Sequence, residues 1–313
     1  MLFRSLALAV ALAPCLLAQG LVSQVRNLIA HGDLAGGAKA VEEYRQSAGD
    51  TPEALEALSW LGRGALASGQ LDAAEGFARQ TGELARRQLA TRKLDDEPRL
   101  PLALGAAIEV QAQVMARRGE RDEAVAYLKK ELLNYGATSI RARIQKNINL
   151  LVLTGKPAPP IQVAEWVGPR RPAALAALRG KPVLLFFWAH WCPDCKAEAA
   201  VLARLQQEYK DLEVVGPTQR YGYVAGGEDA PRDVETKYIE EVRKQYYDAV
   251  RMTVPVSETA FKNYGASTSP TLVLIDRAGT VRLYHPGRMT YDELAPLVAK
   301  LAVSPPRKDR ANQ

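Results

Sequence analysis

The chain has 313 residues, of which 47% are hydrophobic and 24% charged. That balance excludes wholesale disorder, and at roughly 150 residues per domain the length favours two domains. The net charge is +6, but the basic residues are scattered (Arg86-Arg87, Lys129-Lys130, Arg141 to Lys146, Arg170-Arg171) and not interleaved with aromatics. A nucleic-acid partner is therefore not expected, and these charges read as solvated helix faces.

Residues 1–20 read as an export signal. Arg4 supplies the positive start and Leu6 to Leu17 the apolar run, which is too short to span a membrane comfortably. Cleavage is expected near Leu17-Ala18 or Gly20. The expectation is a periplasmic protein. The alternative is attachment to the membrane through this segment, or lipidation at Cys15 within Leu12-Ala13-Pro14-Cys15.

Residues 21–153 read as helix throughout, with apolar residues at helical spacing and Ala and Leu dominant. Thr51-Pro52-Glu53-Ala54 is a helix start, with Thr51 as N-cap and Pro52 at the first helical position. A weak repeat is visible. Gly32, Gly69 and Gly119 each open a turn, are followed five residues on by Gly37, Ala74 and Ala124, and lead into an amphipathic helix. These turns resemble the tetratricopeptide repeat, although their spacing departs from its period of about 34 residues. The insert Leu94 to Pro101 lengthens one connection. Such an array offers a surface for a protein partner. A helical spacer or dimerisation module is the equal alternative.

Gly155-Lys156-Pro157-Ala158-Pro159-Pro160 forbids helix, so 154–160 is predicted as a linker. Residues 161–303 then change pattern. A short helix (Pro172 to Leu178) precedes a continuously apolar strand (Lys181 to Trp188) and a helix (Pro193 to Tyr209). Next come a strand (Asp211 to Gly216), a Gly-rich loop (Arg220 to Pro231) and a charged helix (Val234 to Val250). A short extended piece (Thr253 to Val256), a helix capped by Ser257, two strands joined as a hairpin (Thr271 to Asp276, Val281 to Tyr284) and a last helix (Tyr291 to Leu301) complete the series. Residues 304–313 are polar and expected to be disordered.

Trp191-Cys192-Pro193-Asp194-Cys195 lies between the first of these strands and its helix. This puts Cys192 at a helix N-terminus, where amides and dipole stabilise a thiolate. Cys195 lies one turn on along the same face, within reach of a disulfide. Cys15 is the only other cysteine, and three His with no second C-x-x-C leave a zinc site without ligands, so no metal is expected. A purely structural disulfide closing so short a loop would constrain little. Redox exchange is the favoured reading.

The order strand, helix, strand, helix, strand, hairpin strand, helix resembles a thioredoxin fold. The closest resemblance is to the TlpA/ResA-like extracytoplasmic disulfide reductases, over about 158 to 302. It is carried by Gly155 to Pro159, by Gly180 to Ala189 ahead of the cysteines, by Glu198 after them, and by Tyr264-Gly265 through Ser269-Pro270-Thr271. The fold class expected is therefore an α/β thioredoxin-like fold preceded by an all-α helical-repeat domain.

The resemblance implies roles. Cys192 is the nucleophile and Cys195 the resolving thiol. Pro270 is a cis-proline that sets the Ser269 backbone beside Cys192, where a substrate chain adds as a strand. Glu198 takes the proton from Cys195, with a plain surface glutamate as the alternative. Phe186 stands where cytoplasmic thioredoxin has a buried Asp, and Ala200 where the family has a Pro. Pro193 and Asp194 tune the redox pair, the Asp194 charge opposing thiolate formation and favouring a reducing poise. Trp188 and Trp191 pack, Trp191 also covering the disulfide on the substrate side.

Two further readings concern the surroundings. His190 is expected to be an exposed loop histidine, and the loop bearing Tyr221, Gly222, Tyr223, Gly226 and Gly227 a surface loop more than a substrate rim. The substrates implied are protein disulfides or dithiols, with an external electron-donating thiol partner and no cofactor. The rival is an adaptor whose helices bind a partner and whose thioredoxin fold is a scaffold. A thiol peroxidase fits less well, since no T-x-x-C pattern is present.

Overall fold

A computed structural model of the chain describes residues 20–302. The expected export signal, with Cys15, and the polar tail expected to be disordered fall on residues outside those described, apart from Gly20. The first half is helical: α1 (Leu21–Ala30), α2 (Leu34–Ala48), α3 (Pro52–Ala67), α4 (Leu71–Gln88), α5 (Arg99–Arg117), α6 (Arg121–Tyr135) and α7 (Arg141–Val152). Thr51 caps α3 by accepting from the Ala54 amide at 3.2 Å, with Pro52 first in the helix. The three turn glycines, Gly32, Gly69 and Gly119, all have positive φ, which explains why each turn needs a residue without a Cβ. Leu55, Leu58 and Leu61 of α3 join Leu100, Leu104 and Ile108 of α5 in one core.

The second half is α/β: β1 (Glu165–Val167), β2 (Val183–Phe187), α8 (Pro193–Glu208), β3 (Glu213–Val215), α9 (Arg232–Tyr247), β4 (Met252–Val256), α10 (Glu258–Tyr264), β5 (Thr271–Ile275), β6 (Val281–Pro286) and α11 (Tyr291–Ala302). The sheet runs β1-β4-β3-β2-β5-β6. β2, β3 and β4 are parallel neighbours, and β1, β5 and β6 pair antiparallel. This is a thioredoxin-like mixed sheet flanked by helices.

Central β2 explains the continuous apolar run. Leu184 and Phe186 pack beneath Leu202, Ile239, Leu294 and Val298 on one face. Val183, Leu185 and Phe187 meet Phe261, Tyr264 and Leu153 on the other. A strand covered on both faces has no polar side to show.

Two segments differ from the sequence-based expectation. Strand β1 is too short for a period-2 pattern to register and went unpredicted. Pro172 to Leu178 forms only a 3-10 turn at Leu175–Leu178. The proline-rich segment, non-helical as expected, is tied to the β5–β6 hairpin: the Gly155 and Ala158 amides donate to the Val281 and Gly279 carbonyls at 2.8 and 2.9 Å. The Tyr264 hydroxyl also donates to the Pro159 carbonyl at 2.6 Å.

The two halves are in direct contact. The Asn149 side-chain amide donates to the Asn263 carbonyl, and the Arg141 guanidinium to the Lys262 carbonyl, both at 3.3 Å. Gly265 ends α10 in the left-handed region, and a Cβ there would overlap the Lys146 amide of α7. Only glycine lets α7 lie so close.

Candidate active site

Cys192 is the N-cap of α8, with Pro193 at the first helical position. Extended backbone at the cap turns the chain out of β2 and aims the following amides at the Cys192 sulfur. The Cys195 amide donates to it at 3.0 Å. Cys192 and Cys195 form a disulfide, with Cα atoms 5.3 Å apart. Cys192 is 2% exposed and Cys195 fully buried. Beside the pair, Trp191 is 45% exposed.

The Ser269–Pro270 peptide is cis, and the Ser269 carbonyl lies 3.5 Å from the Cys192 sulfur. The sequence-predicted neighbours therefore meet across the end of the sheet. Trp188 is buried, its indole N–H donating to the Gly216 carbonyl at 2.9 Å. Phe186 is buried against the Tyr247 ring.

Glu198 is 0% exposed, on α8 one turn beyond Cys195. It is not a surface glutamate. Neither of its carboxylate oxygens has an aligned hydrogen-bond donor among the described residues. Its nearest cation is Arg288, whose Nε stands 3.5 Å from Oε2. Burial pushes the Glu198 carboxyl above the ordinary carboxylate range, and the Met289 amide and Arg288 guanidinium oppose that shift without cancelling it. Arg288 also stands 3.8 Å from the solvent-exposed Asp194 carboxylate. This cation offsets part of the negative charge that Asp194 brings to the thiols.

On the opposite flank the expectations fail. His190 is not exposed but 1% accessible, enclosed by the rings of Tyr221, Tyr223 and Tyr238 at 5.5, 5.4 and 5.3 Å. Its Nε2 lies 3.2 Å from Glu235 Oε1, itself buried. Burial lowers the His190 pKa despite Glu235, so the ring is neutral near pH 7 and supplies no cation to Cys192.

The tyrosine loop is not a loose surface loop either. Glu235 accepts from the Tyr221 and Gly222 amides at 2.5 and 2.9 Å. Tyr221 then stacks edge-on against Trp191 at 5.5 Å. Glu235 and Arg288 are the site neighbours that sequence reasoning missed. For Glu235 a signal existed: it shares a helical stripe with buried Ile239 and Val242.

The constellation can perform dithiol–disulfide exchange. Among the described residues no group of three His, Cys, Asp or Glu side chains could hold a metal.

Comparison with known proteins agrees with the geometry. The AhpC/TSA family model matches residues 154–284. The thiol:disulfide interchange protein DsbE of Xylella fastidiosa is 31% identical over 157 residues, 49% of this chain and 73% of the relative. The thioredoxin-like protein YneN of Bacillus subtilis is 28% identical over 144 residues, 45% of this chain and 75% of the relative. The thiol-disulfide oxidoreductase ResA of Bacillus thuringiensis is 26% identical over 149 residues, 47% and 78% of the two chains. With a thioredoxin-like sheet and a cysteine pair at the N-terminus of α8, the chain belongs to the thioredoxin-like thiol-disulfide oxidoreductases of the AhpC/TSA family.

Proposed function

We propose that the chain is an exported reductase of protein disulfides. The observation that carries this reading is the pairing of Cys192, capped by the Cys195 amide, with a buried and unsaturated Glu198 on the same helix. In the reduced enzyme the Cys192 thiolate attacks a substrate disulfide. One substrate sulfur bonds to Cys192 and the other leaves as thiolate, to be protonated. Glu198, as carboxylate, accepts the Cys195 proton. The Cys195 thiolate then attacks the Cys192 sulfur, expels the second substrate thiol, and leaves Cys192–Cys195 as a disulfide. An external dithiol restores the pair. Trp191, Ser269 and Pro270 line the substrate approach, while Pro193 and Asp194 tune the couple.

Export is supported by the N-terminal segment, and the reading divides the chain into 21–153, the segment 154–160 and 161–303. The helical part reads as an irregular tetratricopeptide-like array, its three turn glycines being the supporting feature.

Reduction of insulin with dithiothreitol as donor tests the activity. Wild type is expected to turn over and Cys192→Ser to fall to background; equal rates would refute the reading. A redox titration tests the direction. A potential below the glutathione couple is expected, and one above it reverses the assignment.

A further inference from the structure

The insert at Leu94 to Pro101 breaks the helical repeat and has no part in the chemistry above. Its position gives it one. Asp95 in this insert accepts hydrogen bonds from the Ser139 amide, at 3.1 Å, and from the Ser139 hydroxyl. Ser139 sits in the turn between α6 and α7. The other end of that turn is held by Arg141, which donates to the Lys262 carbonyl of α10 at 3.3 Å. The turn is thus pinned from both sides, one anchor in each half of the chain.

Across from it stand Trp191, Tyr221 and Ser269. The space between is an open cleft of about 550 Å³, walled by residues 136–142 on one side and by the active-site loops on the other. That volume falls in the ordinary range for binding clefts, roughly 300–1,000 Å³. At its inner end the cleft is lined by Ser269, whose carbonyl lies 3.5 Å from the Cys192 sulfur. Its lining mixes the Trp191 and Tyr221 rings with the Arg141 guanidinium and Ser and Thr hydroxyls, a set suited to main-chain amides and side chains together.

We propose that the helical half forms the second wall of the substrate site, and that its occupant is an extended, disulfide-bearing polypeptide segment lying between the α6–α7 turn and Ser269. This rests on the oxidoreductase reading. The cleft is lined by Trp191 and Ser269, the residues that border Cys192, as well as by the turn, so a chain laid along it from the turn passes beside the disulfide. With walls on both sides and Cys192 only 2% exposed, a disulfide flush with a folded surface cannot descend to the sulfur. A chain free to extend on both sides of its cysteine can. The specificity follows from shape: flexible or unfolded segments are accepted and compact surfaces are turned away.

The test compares two probes with one chromophore on the full chain. One is a flexible linear peptide joined by a disulfide to nitrothiobenzoate; the other is the symmetrical bis-nitrobenzoate disulfide. Ala142→Trp narrows the cleft from α7. Ala137→Trp, at an exposed turn position, does so independently should the first variant fold poorly. Each is expected to lower the ratio of peptide to small-disulfide kcat/KM about tenfold, a loss of one decade in transition-state affinity. An unchanged ratio in a folded variant overturns the proposal. Failure of the parent reading looks different: Cys192→Ser would reduce the small disulfide as fast as wild type.

Discussion

Two buried glutamates flank the disulfide, and they are provided for in opposite ways. Glu235 receives two backbone amides and lies against a neutral His190. Glu198 has no aligned donor among the described residues, with the Met289 amide and a half-exposed Arg288 nearby. A carboxylate that accepts from two backbone amides holds those donors in place. A carboxylate left unsaturated in a dry place binds a proton more readily. The first therefore fixes the loop that carries Tyr221 against Trp191, and the second has the raised proton affinity that the proposed exchange with Cys195 requires.

The contrast can be broken most severely at Glu198. Glu198→Gln is expected to lower disulfide-reduction turnover about 100-fold, the usual scale of a lost acid–base group. The same change should stabilise the fold at neutral pH. Because the folded-state pKa is raised, the wild-type protein is favoured below the ordinary carboxylate value and loses stability as pH rises through the raised one. Gln does not titrate, so thermal melts should separate the two proteins at pH 7 and bring them together near pH 4. Glu235→Gln should do the reverse, lowering stability by about 2 kcal/mol because the two loop amides donate to separate carboxyl oxygens and Gln keeps only one. Chemical denaturation reads this, with a smaller loss of activity through the displaced Tyr221.

Smaller effects sharpen the comparison. Arg288 pulls the Glu198 carboxyl downward, so Arg288→Gln should move the acid limb of the rate profile to higher pH, leaving rates above the limb unchanged. His190 is held below its ordinary pKa. Wild type should therefore lose stability as pH falls through the ordinary histidine range, and His190→Gln should flatten that slope in an acid unfolding series.

Much of this arrangement was legible in the residues. The apolar run ahead of the cysteines and Pro193 at a helix start required only local patterns, whereas the Ser269-Pro270 step was legible through the family resemblance; the structure brings them together. The three turn glycines were equally readable, since positive φ is a local demand. Contacts that join distant segments were not. Arg288 follows β6 and meets α8 only after the sheet has formed. His190 reads as a loop residue until three tyrosines from other segments close around it. Glu235 was hidden by a sound rule misapplied: charge on an amphipathic helix faces water unless a partner is waiting inside, and here the partners are backbone amides of a separate loop. The Asp95–Ser139 link spans two helices, and no spacing rule reaches it.

The proton transfer assigned to Glu198 is tested most directly by single-turnover release of substrate thiol from a preformed mixed disulfide on Cys192, followed across pH. This isolates attack by Cys195. Wild type should show a limb above the ordinary carboxylate range, rising with pH as Glu198 ionises, and Glu198→Gln should be slower and lack that limb. Superimposable profiles for the two proteins would contradict the assignment.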